Sequence, residues 1–174
     1  SFDSVLCMGA FEDGKVKKEC WMNKYGGHGN MNINDAISQS CNMYFYDLYA
    51  NLFNDVNYAS PNNFLDEWNK EIFKFGFNQQ VTMDLQTVSD GFIPSYQYFK
   101  NNQMHNSLGE YLNLTIGQGS IRVTPFQVIQ FINLVANNGD TYSPYFNKKN
   151  KDKNKIYSDY RPRVWDIIQK AMYD

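Results

Sequence analysis

The chain has 174 residues, 43% of them hydrophobic and 17% aromatic, which is enough apolar mass for one domain with a substantial core and too much for a disordered segment. A formal net charge of −2 gives no general attraction to an anionic membrane surface or to nucleic acid, and no nucleic-acid partner is expected. No run of roughly eighteen apolar residues appears, and the first residues lack the basic, apolar and small-residue succession of an export signal, so neither an anchor nor a leader is expected within these residues.

In chain order, Phe2, Val5, Leu6, Gly9 and Ala10 share one helical face with Gly14 in a stopping position, which predicts a helix over 2–13. A polar, glycine-rich loop is expected to Asn30. Asn32 suits an N-cap with Asp35 at N3, and Ile33, Ala36, Ile37, Cys41, Tyr44 and Leu48 recur at helical spacing through Leu52. Ser, Cys and Asn are mediocre helix formers, so the pattern admits a break into two helices near Ser40. Ser60-Pro61 opens the next helix in the N-cap and N1 arrangement, with Phe64, Leu65, Trp68 and Ile72 inward and Gly76 at its end.

From Phe77 to Tyr111 the period is lost. Val81, Met83 and Leu85 alternate as a short strand does, and the remainder reads as a long loop. Thr124, Pro125 and Gln127 fill the N-cap, N1 and N3 positions of a capping box, Phe126, Ile129, Ile132 and Val135 form an apolar stripe, and Asn138-Gly139 closes the helix. Tyr142 to Tyr157 then reads as strand, turn, strand. Lys148, Lys149, Lys151, Lys153 and Lys155 crowd its tip, a solvated turn rather than a basic binding patch. A final helix is expected over 164–172, and both ends look cut from something longer.

Three cysteines, Cys7, Cys20 and Cys41, form no C-x-x-C pair, and an odd count leaves one over in any disulfide scheme. His28 stands eight residues after Cys20. That spacing is a weak signal for a zinc site or a Cys/His nucleophile pair, and the thiols are read as buried or incidental, with no metal and no cofactor assigned.

Two blocks carry chemistry. Gly26-Gly27-His28-Gly29 precedes a helix that leads into Ser40-Cys41-Asn42-Met43-Tyr44-Phe45-Tyr46, and Ile116-Gly117-Gln118-Gly119 is followed by Thr124-Pro125-Phe126-Gln127. A lone S-x-N means little in so asparagine-rich a chain, where Ser60-Pro61-Asn62 is another that capping explains. In this order and setting, however, the two blocks resemble the transpeptidase domain of class B penicillin-binding proteins, with a weaker likeness to the elongation-type, penicillin-binding protein 2-like branch.

The resemblance implies a mixed α/β (α+β) fold class, of which residues 1–174 form a mainly helical fragment of a serine β-lactamase/penicillin-binding transpeptidase-like domain, truncated at both ends. It implies part of a peptidoglycan D,D-transpeptidase that cross-links stem peptides and binds penicillin and other beta-lactams, acting at the periplasmic face of the inner membrane beside cell-wall elongation proteins, with its anchor elsewhere. Carried over residue by residue, Ser40 relays a proton to the leaving group, Asn42 presents its amide to the substrate backbone, and Gln118 is a candidate lining residue of the cleft. The departures are sharp. No serine has lysine three positions later and no lysine precedes Ser/Thr and Gly, so the chain by itself is expected to be inactive. On the alignment that starts at Ser1-Phe2-Asp3-Ser4, the nucleophile falls just before residue 1 and Asp3 stands where the lysine belongs. The other open readings are a catalytically inactive binding module of the same family and an unrelated helical interaction domain.

Overall fold

The computed structural model describes residues 4–53, 61–81, 83–84, 88–103, 108–147, 155–157 and 160–174. The chain divides into two compact units, one of residues 1–65, 96–119 and 170–174, the other of 66–95 and 120–169.

In the first unit, β1 (Val5–Cys7) pairs antiparallel with β4 (Gly29–Met31), and β2 (Ala10–Asp13) pairs with β3 (Val16–Glu19). These strands replace the helix expected over 2–13, of which residues 2 and 3 lie outside the described residues. Val5 and Cys7 are buried while Leu6 between them is exposed, a period of two. Gly9 (φ +94°) separates the strands, and Gly14-Lys15 is a hairpin turn rather than a helix end. Five apolar positions fit a helical face by coincidence, and the partner strands decided the outcome. The predicted loop to Asn30 holds β3, β4 and a 3₁₀ turn over Trp21–Tyr25.

α1 (Ile33–Ser38) is capped by Asn32, whose Oδ1 accepts the Asp35 N–H at 3.1 Å, and α2 (Asn42–Phe53) follows after the expected break. α2 is buried on two sides. Tyr44 and Leu48 join a core of Val5, Cys7, Cys20, Met31, Ala36 and Cys41, whereas Tyr46 and Ala50 pack with Phe11 and Leu112. α3 (Pro61–Lys74) begins in this unit, with Phe64 edge-on to Tyr49, and runs on into the second. Two short helices, α4 (Tyr96–Asn101) and α5 (Leu108–Thr115), occupy part of the predicted long loop. Six and eight residues are too few to display a helical period, and α5 buries Gly109, Tyr111, Leu112 and Leu114 on several faces at once.

In the second unit, α6 (Pro125–Ala136) starts at the expected capping box, with Thr124 Oγ1 accepting the Gln127 N–H and Gln127 Oε1 accepting the Thr124 N–H. Of its expected stripe, Val135 is buried and Phe126 half-buried. Ile129 and Ile132 are exposed, and the buried face is Gln127, Gln130, Leu134 and Val135. Gln127 is fully buried because its Nε2 donates to the Gln79 and Asp90 carbonyls at 3.0 and 2.7 Å, leaving no polar atom wanting. Val81 is a core residue but neither it nor Met83 lies in a strand, and Leu85 lies outside the described residues.

β5 (Asp140–Tyr142) and β6 (Lys155–Tyr157) pair antiparallel as expected, the lysines at 148–153 lying outside the described residues. α7 (Pro162–Tyr173) closes the chain and brings Trp165 against Leu134 and Val135, with Phe75 stacked on Tyr160 beside them. Among the described residues all sheets are two-stranded, and no helix is long and apolar enough to cross a membrane.

Candidate functional site

The break between α1 and α2 is a built turn. The Ser40 N–H donates to Ile37 O at 3.2 Å and the Cys41 N–H to Ala36 O at 2.9 Å, the paired bonds of a Schellman motif. Ser40 therefore stands in the left-handed position (φ +51°) that glycine usually fills. Cys41 drops into the core beside Ala36, Asn42 opens α2, and Ser40 is left exposed at the tip. Trp21 clamps the turn from outside, its Nε1 donating to the Gln39 and Ser40 carbonyls at 3.1 and 3.2 Å.

Beneath this turn the fold gathers what looked scattered in sequence. Ligand atoms of Cys7, Cys20, His28 and Cys41 all lie within 4.8 Å of one another, and His28 Nδ1 is 3.5 Å from both Cys7 Sγ and Cys20 Sγ. Gly27 makes the approach possible. A Cβ there would meet Cys7 O at 2.1 Å and Gly9 N at 2.7 Å, so only glycine lets this loop lie against the end of β1 and deliver His28. Trp21 also packs edge-on to the His28 ring at 5.1 Å.

Burial pushes the Cys20 thiol up, but backbone N–H groups of Met22, Met43 and Asn42 directed at its sulfur outweigh it, and its pKa falls below the usual thiol value. Burial pushes Cys41 up to about 12 despite the Tyr44 N–H at its sulfur. Two thiols thus take up N–H groups at the first turn of α2, which a helix start otherwise leaves without partners.

The donor set fits a structural zinc ion. Tetrahedral coordination at ordinary Zn–S and Zn–N lengths puts sulfur and nitrogen about 3.6 Å apart and two sulfurs about 3.8 Å apart; His28 Nδ1 is 3.5 Å from two of the sulfurs, and no two of the four ligand atoms are more than 4.8 Å apart. Ligation through Nδ1 leaves His28 Nε2 buried without an acceptor among the described residues. As expected, all three thiols are buried, and they are free; the fold in addition brings them together with His28. Separations of 13 and 21 residues between successive cysteines follow no local metal motif, and the Cys20-to-His28 spacing was the one available signal.

The predicted residues divide between two turns. Ser40 and Asn42 flank Cys41 on the turn just described. Gln118 is exposed on another, where the Gly117 N–H donates to Leu114 O and the Gln118 N–H to Asn113 O, a second Schellman motif with Gly117 (φ +71°) in its left-handed position. This accounts for the Ile-Gly-Gln-Gly spacing as a helix ending. Asp3 lies outside the described residues.

Compared with known proteins, the chain is 29% identical over 162 residues to the peptidoglycan D,D-transpeptidase MrdA of Acinetobacter baumannii, covering 87% of this chain and 22% of that protein. In structure it is similar to PBP2 of Pseudomonas aeruginosa in complex with WCK 5153 (TM-score 0.77, 27% identity, 97% of this chain and 38% of that one). It is likewise similar to PBP2 of Helicobacter pylori in a complex with MreC (TM-score 0.82, 25% identity, 98% and 30%). The chain therefore spans less than a quarter of that curated relative. Residues 9–174 match the model of the penicillin binding protein transpeptidase domain, and with nearly the whole chain inside that match, it belongs to the penicillin-binding protein transpeptidase family.

Proposed function

We infer that the chain is part of a peptidoglycan D,D-transpeptidase and supplies Ser40 and Asn42 to its active site. The observation that carries this is Ser40 itself, an exposed serine held in a left-handed conformation by a Schellman motif, in the Ser-Cys-Asn block by which the chain resembles its family. A strained polar residue kept where glycine would be relaxed suggests that the hydroxyl is needed there.

A hydroxyl donates and accepts at once, which suits proton relay to a leaving D-Ala amine. The Asn42 amide suits the substrate backbone. The nucleophile, its lysine and the Lys-Thr-Gly segment must come from elsewhere in the complete protein, since none occurs in these 174 residues. Stem peptides are the substrates and beta-lactams the inhibitors on this reading. The likeness to a PBP2 solved with MreC supports a protein partner in the cell-wall machinery, and the family resemblance implies a place among elongation proteins at the periplasmic face of the inner membrane, with the anchor outside this chain.

In the complete protein, Ser40→Ala should lower transpeptidation by about two to four orders of magnitude with little change in melting temperature, whereas Thr124→Ala should lower stability by about 1 kcal/mol and spare turnover. Unchanged turnover in Ser40→Ala would place the site elsewhere. Labelling by a fluorescent penicillin separates an active transpeptidase from an inactive relative, which would take no label.

A second reading concerns the convergent donors. Their separations favour one zinc ion held by Cys7, Cys20, His28 and Cys41, a structural site because four protein ligands leave no position open for substrate.

A further inference from the structure

The three sulfurs of the Cys7–Cys20–His28–Cys41 cluster are free thiols within 4.8 Å of one another, and thiols so placed have an alternative to a metal. The geometry points to a redox modification site: in the metal-free protein Cys7 closes a disulfide with Cys20 or Cys41, and this bond and a bound zinc ion exclude each other. The proposal rests on the zinc assignment for the same four residues.

Cys7 is the common partner. Its strand, β1, packs against α2, to whose start Cys41 leads, and its sulfur lies within 4.8 Å of both other sulfurs. The backbone holds the sulfurs near one another without help from an ion, because β1 is paired to β4 through Cys7 and Gly29, and the Cys20 N–H donates to Gly9 O at 2.8 Å. Cys41 is fixed independently by the Schellman motif through its N–H to Ala36 O. Losing the ion leaves three thiols close together, needing movements of about 3 Å or less to reach the S–S length of about 2.0 Å.

The oxidant is a low-molecular-weight disulfide. The Cys7 thiolate attacks one of its sulfurs and expels a small thiolate, giving a mixed disulfide. The second cysteine, as thiolate, then attacks the Cys7 sulfur and expels the other small thiolate. Two protein thiols are oxidised, one small disulfide is reduced to two small thiols, and the two protons lost by the cysteines end on those thiols. Either pairing removes two of the four ligands and leaves one sulfur and one imidazole nitrogen, too few for a structural zinc site. Zinc in turn occupies the sulfur electron pairs that the attack requires.

The test uses the complete protein that contains this chain, stripped of metal by a chelator under reducing conditions and then freed of both reagents. One half receives an equivalent of zinc. Both halves are exposed to oxidised glutathione, alkylated and mapped by peptide mass spectrometry. The stripped half should show Cys7 joined to Cys20 or Cys41 with the third thiol alkylated. Its zinc affinity should fall by more than the 10- to 100-fold typical of losing only an outer-shell partner and return on reduction. The zinc-loaded half should keep all three thiols unlinked. Cys7→Ser should form no disulfide within the cluster. Three alkylated thiols in the stripped half, a Cys20–Cys41 bond, or equal oxidation with and without zinc would each overturn the proposal while leaving the zinc site standing. Failure of the reduced protein to take up zinc would instead sink the zinc assignment and the proposal with it.

Discussion

Ser40 holds a backbone conformation that costs an L-residue roughly 1–2 kcal/mol relative to the ordinary helical region. Glycine pays no such cost, although it loses more entropy on folding. Ser40→Gly should therefore raise stability by up to about 1 kcal/mol while removing the hydroxyl, so the melting temperature rises as cross-linking activity falls. Ser40→Ala keeps the strain and should melt near the parent. A Ser40→Gly protein that loses stability would show that Ser40 is held by contacts other than the Schellman bonds. Gly27 has no such latitude. The Cβ of Gly27→Ala would collide with the backbone of Cys7 and Gly9, so the loop must shift and carry His28 away from the sulfurs. That variant should lose zinc uptake before it loses its fold, as followed by metal analysis alongside circular dichroism.

At the scale of elements, α6 shows a helix whose buried face is polar at its start. Gln127 closes the capping box and also serves the Gln79 and Asp90 carbonyls. Gln127→Ala should leave those carbonyls short of a donor and cost about 3 kcal/mol, well beyond the loss of the Thr124 cap alone, as read by urea unfolding of the two variants. The elements around the cysteines are joined differently. β1, the 3₁₀ turn and the start of α2 each bring donors to the cluster, and a metal there ties all three. Chelation should speed amide exchange at Ala36 and Cys41 and lower the melting temperature by several degrees. Unchanged exchange on metal removal would mean that hydrogen bonds alone hold the turn.

For the molecule as a whole, alkaline stability is set partly by Tyr111. Burial, with a smaller contribution from Tyr96, pushes its phenol up to about 12 from about 10 in an unfolded chain. Both states keep the proton below pH about 10, so the contribution is fully present there. As pH rises further the unfolded chain ionises first, and the contribution is lost by about pH 12. Unfolding free energy should drop across that window, and Tyr111→Phe should flatten the drop. An equally steep decline in the variant would assign it to other tyrosines, of which Tyr46 is also raised by burial.

Local interactions were legible in the sequence because a few neighbouring residues complete them. The Asn32 cap, the Thr124–Gln127 box and the break at Ser40 all follow from side chains reaching backbone groups within a few positions or from turn chemistry. The motif blocks likewise carried the family, since their spacing is written along the chain. Tertiary structure alone decided the rest. Residues 5–7 and 10–13 became strands because partners at Gly29–Met31 and Val16–Glu19 came to pair with them. α6 turned Gln127 inward because the carbonyls of Gln79 and Asp90 wait there, 48 and 37 residues away. Cys7, Cys20, His28 and Cys41 form one cluster because Gly27 lets a loop lie against β1 and the Schellman turn drops Cys41 beneath it. Contacts between distant residues depend on how the chain folds back on itself, and no local spacing encodes that.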